Sequence, residues 1–173
     1  MALYETEAIV TSSSRLGEAD QLVTFLTRDQ GKIKAVARGA RILTNRFSGF
    51  VQPLSVLRII YFGIGKEELY RLNSCDPIQI LDFSYQFSRV INGFCIAETL
   101  EHCCGPGEIS TPMYDLALQG IGLLGGAEQS PGLALSFAMK ALALSDYMPH
   151  LEECVACGEN LQSRRMNYSP AKG

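Results

Sequence analysis

Two periodicities divide the chain. Up to about residue 75 the apolar residues come in short runs, rich in Val, Ile, Phe, Tyr and Thr and separated by turn formers, which is the pattern of half-buried strands. It predicts strands over Thr6 to Thr11, Gln21 to Thr27, Lys32 to Arg38, Leu54 to Phe62 and Glu68 to Leu72. Hairpin connections are expected at Arg28-Asp29-Gln30-Gly31 and Gly63-Ile64-Gly65-Lys66. Five strands in so short a stretch point to a small closed barrel. After Cys75-Asp76-Pro77 the period lengthens. Phe83, Phe87, Val90, Phe94, Ala97, Leu100 and Cys104 recur at steps of three and four, laying one apolar stripe along a helix that ends before Gly105-Pro106-Gly107. Thr111-Pro112 and Ser130-Pro131 each set an N-cap hydroxyl before a proline and should open two more helices. The last, Pro131 to about Ser145, is apolar on most faces and is expected at the centre of a small bundle. The fold class is therefore α+β and multidomain: a five-stranded barrel in residues 1–76, then a small α-helical domain in residues 77–173.

Composition adds compartment and charge. A hydrophobic content of 47% in 173 residues suffices to bury a core. The N-terminus meets acids at Glu5 and Glu7 and lacks the pattern of a secretory leader. The most apolar segment, Gly132 to Leu144, is interrupted by Lys140 and is shorter than the roughly 20 residues that span a bilayer. A cytoplasmic protein is expected, with its six cysteines free or metal-bound rather than bridged. The net charge of −3 conceals an asymmetry: residues 1–75 hold ten Lys/Arg against seven Asp/Glu, and residues 76–173 hold five against eleven.

The sharpest local feature lies in the basic half. Between Gln30 and Lys66 there are seven cations and no acid, which makes the segment an anion-binding surface. Strand alternation puts Lys32, Lys34 and Arg38 on one face, expected to meet solvent, opposite Ile33, Ala35 and Ala37. A polar connection then carries Arg41 and Arg46, so Lys32, Lys34, Arg38, Arg41 and Arg46 form the candidate phosphate-binding set, with Arg58, Lys66 and Arg71 next in line. Tyr61, Phe62, Phe47 and Phe50 are the aromatic candidates for stacking on bases.

Other chemistry is sparse. Cys154 and Cys157 have the spacing of half a zinc site, but no Cys or His follows them to complete a tetrahedral set. That half-site is expected to be unfilled, and no cofactor is expected. Two histidines, no nucleophile paired with a base and no G-x-x-x-x-G-K-[ST] loop give no basis for an enzyme.

Several segments together resemble one family, RecO, the bacterial DNA repair and recombination mediators. They are Glu7-Ala8-Ile9-Val10, Leu16-Gly17-Glu18-Ala19-Asp20, Phe25-Leu26-Thr27, Gly31-Lys32, Ala37-Arg38-Gly39-Ala40-Arg41, Arg46-Phe47, Gln52-Pro53 and Glu68-Leu69-Tyr70-Arg71-Leu72, followed by Tyr147-Met148-Pro149 and Cys154-Val155-Ala156-Cys157-Gly158. The resemblance implies an N-terminal oligonucleotide/oligosaccharide-binding (OB) barrel before the helical domain. It implies binding of single- and double-stranded DNA, annealing of complementary strands, and work with RecR and single-stranded-DNA-binding protein in loading RecA. Family members with a zinc site carry a second C-x-x-C further on, whereas this chain stops sixteen residues after Cys157 and looks like a short member. Many members have Gly before the Tyr-x-Pro element, where Ser145-Asp146 stands here. The residues alone leave two alternatives open: an OB-fold RNA-binding protein, or an interaction module working through its acidic helical half.

Overall fold

The computed structural model describes residues 2–42, 44–47, 49–63, 69–83, 87–126 and 132–161. Five strands, β1 (Ala2–Leu16), β2 (Asp20–Thr27), β3 (Gly31–Ala37), β4 (Val56–Gly63) and β5 (Tyr70–Gln79), precede α1 (Phe87–Cys103), α2 (Thr111–Gly125) and α3 (Leu133–Leu144). The strands close into a barrel in the order β1-β2-β3-β5-β4, as expected of an OB domain. The long first strand makes closure possible. Its first half pairs with β4 and its second half with β2, the two ladders overlapping at Ala8 and Ile9, and the ladder with β2 has an irregularity between Val10 and Ser12. Between β3 and β5 the pairing is parallel and only two residues long, Ala35 with Tyr70 and Val36 with Arg71.

Inward-facing residues obey the two-residue period. Ala8, Val10, Val23, Phe25, Ile33, Ala35, Leu57, Ile59, Tyr61 and Leu72 fill the barrel, and Phe47 and Val51 from the β3–β4 connection join them. Tyr61 and Phe47 are thus core residues rather than stacking platforms; Tyr61 packs against Tyr4 and Tyr70 with ring centroids 5.3 and 5.1 Å away.

A second core lies outside the barrel. Ile9, Leu26, Leu54 and Val56 point outward and are buried with Ile96, Leu100, Tyr114, Ile121, Leu124 and Phe137 of the helices. Each such aliphatic side chain contributes about 1.5–3 kcal/mol on full burial. Leu54 reaches this core with φ 66°, a left-handed backbone whose strain of about 1–2 kcal/mol its burial offsets. Polar ties reinforce the dock. Thr11 Oγ1 donates to Glu101 Oε2 at 2.7 Å, and Arg28 lies 3.7 Å from Asp115 and 5.0 Å over the Tyr114 ring. Burial pushes the Tyr114 phenol up to about 12, while the facing Arg28 opposes the shift.

Several sequence expectations shift. β5 continues through Asp76-Pro77 to Gln79, so the expected boundary after residue 76 falls inside a strand. Once past its short pairing with β3, β5 has β4 as its strand partner, and on an open edge a proline forfeits no ladder bond. The buried face of α1 is Asn92, Gly93, Ile96, Ala97 and Leu100. Phe87 and Phe94 of the expected stripe are 80% and 65% exposed. The helix is rotated because Gly93, lacking a side chain, lets it close on Phe83 and Leu54; a Cβ there would sit 2.8 Å from the Phe83 ring. Ser110 rather than Thr111 caps α2, accepting from Met113 N at 3.4 Å. That helix, not α3, is the most buried, with seven buried residues against three. Ser130, Pro131, Lys66 and the Ile64-Gly65-Lys66 turn lie outside the described residues.

Candidate nucleic-acid interface

β3 begins in a confined place. Gly31 has φ 69°, and a Cβ there would lie 2.3 Å from the Glu108 carbonyl oxygen, so only glycine fits. The segment following α1 runs beside this strand: Pro106 bridges to Lys32, and Gly107 N donates to Lys32 O at 2.9 Å. It covers the edge of β3 that β5 does not reach. Lys32 is drawn into the same contact. Its Nζ donates to Glu101 O at 2.6 Å and lies 3.9 Å from Glu101 Oε1, leaving the side chain 10% exposed. Lys32 therefore does not share the solvent face expected of it; the helices cover that end of the strand.

The rest of the face is open. Lys34 and Arg38 are exposed, and Val36 between them is half-buried. Val36 pairs with Arg71 on one side and Leu22 on the other, and Leu22 pairs with Ser14. On its far side Arg71 pairs with Phe62, and Phe62 with Leu3. Paired residues share a face, so Leu3, Phe62, Arg71, Val36, Leu22 and Ser14 form one row across the outside of the barrel. Lys34 stands one pleat to one side of it, about 8 Å from Arg71 by strand spacing and rise, and Arg38 follows on the other side, just past the strand's end at Ala37.

The following loop extends the charge. Gly39 turns with φ 68° and donates its N–H to Asp20 Oδ1 at 2.8 Å. Asn45 Nδ2 donates to Arg38 O at 3.3 Å, and Asn45 Oδ1 accepts from Phe47 N at 3.0 Å. Arg41 folds onto the β1–β2 turn, its Nη1 donating to Glu18 O at 2.6 Å and Gly17 O at 3.4 Å. Its Nε and Nη2 stay available. Arg46 lies 5.0 Å over the ring of Phe47, which belongs to the barrel core, and no described contact joins it to the strand cations.

Among the described residues, Lys34, Arg38, Arg41, Arg46 and Arg71 have no carboxylate partner, in contrast to Arg28, Lys32 and Arg58. Arg58 is discounted further because it stands between Glu7, at 3.9 Å, and Asp76 in the sheet. The cations that geometry collects are thus Lys34, Arg38 and Arg71, with Arg41 at the adjoining turn. Arg71 ranked low in the sequence because it lies outside the acid-free window and meets β3 only through a parallel, non-consecutive pairing. Its side of the strand was still legible from the buried Leu72 beside it.

Cys154 and Cys157 lie in a separate small turn. Gly158 N donates to Cys154 O at 2.8 Å and Cys154 N to Glu159 O at 2.9 Å, and Glu153 bridges to Asn160. Backbone N–H groups of Ala156 and Cys157 face the Cys154 sulfur and hold its thiol below the ordinary range. That suits a thiolate donor. The turn brings two cysteines, and no group of three metal-ligating side chains occurs among the described residues; a closed tetrahedral site needs four. The turn alone does not fit a complete site.

Residues 1–81 match the family model described as Recombination protein O N terminal, and residues 85–172 that described as Recombination protein O C terminal. The chain is 34% identical over 164 residues to a DNA repair protein RecO of Koribacter versatilis, covering 94% of this chain and 66% of that one. It is 32% identical over 166 residues to a DNA repair protein RecO of Streptomyces griseus, covering 91% and 67%, and 31% identical over 175 residues to one of a Nocardioides species, covering 99% and 71%. The chain spans about two thirds of the length of these relatives. With both halves matched in order and the barrel and helices in place, the chain belongs to the RecO, or recombination protein O, family.

Proposed function

We propose that the chain is a non-catalytic DNA-binding mediator of recombinational repair that holds single-stranded DNA on the open outer face of β3 and β5. The observation that carries this reading is the set of cations without carboxylate partners, Lys34, Arg38 and Arg71 with Arg41 beside them, in contrast to Arg28, Lys32 and Arg58 of the same barrel, which are ion-paired. Phosphates supply the missing counter-charge. Arg46, over the Phe47 ring, lies apart from these four and is left out of the set of phosphate contacts. The names of the relatives, DNA repair protein RecO, support DNA as the polymer. With the strand held by its backbone and its bases presented, the finer activity is annealing of complementary strands, and the assignment extends to RecA loading with RecR and single-stranded-DNA-binding protein as partners. The chain itself neither hydrolyses a nucleotide nor cuts DNA, and it carries no resident metal.

The test is a titration of the full chain against labelled DNA and RNA strands of one sequence, followed by an annealing assay. Saturable DNA binding, weakened by salt, with faster annealing is expected. A chain that ignores nucleic acid while a protein partner binds its helical half would overturn the reading. Tighter binding of RNA than DNA would reassign the polymer.

A further inference from the structure

The row across the barrel carries one aromatic with no structural task. Phe62 points outward from β4, is only half-buried and belongs to neither hydrophobic core. Tyr4, Tyr61, Tyr70, Phe25 and Phe47 all lie in or against the barrel interior. Beside Phe62, Leu3 is 61% exposed, and Leu69 ahead of β5 is 48% exposed. Arg71 sits directly across the ladder from the ring. The apolar patch and the cations are therefore side by side, with β3 two strands, or about 10 Å, from β4.

We propose that Phe62, flanked by Leu3, is a base-stacking site for an unpaired nucleobase, and that it makes this face select single strands over duplex. The proposal rests on the phosphate-binding reading above. A strand whose phosphates lie on Lys34, Arg38 and Arg71 turns its bases toward β4, where the phenyl ring offers a π-face of the kind that any base can stack on. In a duplex the bases are already stacked and paired, so the same cations hold its backbone without any gain from Phe62. Arg71 is placed to contact both the phosphate and the edge of the stacked base.

Abasic strands separate the two contributions, because they keep the phosphates and lack the bases. The full chain should bind an abasic single strand about 5- to 150-fold more weakly than a thymidine strand of equal length, the worth of one base–aromatic contact. A Phe62→Leu variant, which keeps the apolar volume, should bind both strands alike, at the level of the abasic strand. Phe62→Tyr should restore the preference. The salt slope and duplex affinity should be unchanged in both variants. Equal binding of abasic and thymidine strands by the unaltered chain, or undiminished preference in Phe62→Leu, overturns the stacking site. Loss of salt-dependent binding altogether would instead indict the phosphate reading on which it rests.

Discussion

Replacing Lys32 tests how the barrel and helices divide the work, because this residue sits on the cationic strand yet spends its charge on α1. Its ammonium donates to Glu101 O at 2.6 Å and neutralises a Glu101 carboxylate that also accepts from Thr11. Removing a charged donor from such a site costs about 1.5–3 kcal/mol. Reversing it leaves two facing carboxylates in a largely buried contact, where loss of a partner costs about 3–5 kcal/mol. Lys32→Ala should therefore lower stability by about 2 kcal/mol and Lys32→Glu by about 4, read as a shift of the urea midpoint at constant slope. Lys34→Glu, at an exposed site, should stay within about 0.5 kcal/mol. In folded Lys32→Ala the salt slope of DNA binding should match that of the unaltered chain. A variant of undiminished stability whose slope flattens by about 0.7, the share of one phosphate, would show that Lys32 faces the ligand and that its bond to Glu101 is dispensable.

Gly31→Ala meets both a left-handed backbone and the Glu108 carbonyl and should cost about 2–5 kcal/mol; Gly17→Ala, with φ 64° and open space around it, should cost about 1 kcal/mol, and equal urea midpoints would refute the contact. Burial raises the Cys75 and Cys104 thiols to about 11. Since the folded state holds those protons more tightly, their contribution is complete below pH 9 and fades as pH rises from about 9 to 11; alkylation at pH 8 should reach Cys154 well before either, and the reverse order would contradict the placement. Purified chain should carry well under one equivalent of zinc, because the Cys154/Cys157 turn supplies two of the four donors required; one tight equivalent lost in Cys154→Ser would show that further ligands had been overlooked.

Where apolar runs stand between simple turn signals, the barrel is legible in the sequence. β2 and β3 fall within a residue of expectation because Gln21–Thr27 is a compact apolar and Thr-rich run and Lys32–Arg38 alternates. The expected strand Thr6 to Thr11 is extended at both ends, because Ser12-Ser13-Ser14-Arg15, polar residues without an apolar period, continue β1 alongside β2. Pro77 likewise disguised an edge strand as a linker. The candidate site divides the same way. Charge and period identified Lys34 and Arg38, whereas the fate of Lys32 depends on a helix end some 70 residues away, and the promotion of Arg71 depends on which strands close the barrel. Neither leaves a mark in a local window. Phe87 and Phe94 misled because a strict stripe said nothing about Gly93, whose missing Cβ set the face that packs.

Whether Lys34, Arg38 and Arg71, with Arg41, hold phosphates on the open face of the barrel is read from the slope of log K against log salt concentration for a labelled single strand. Four contacts at about 0.7 each predict a slope near −3 for the unaltered chain. The variant Lys34→Glu, Arg38→Glu, Arg71→Glu should remain folded, bind more weakly whatever the sequence, and show a slope flatter by about 2. A folded triple variant with the affinity and slope of the unaltered chain would place the DNA elsewhere and contradict the account.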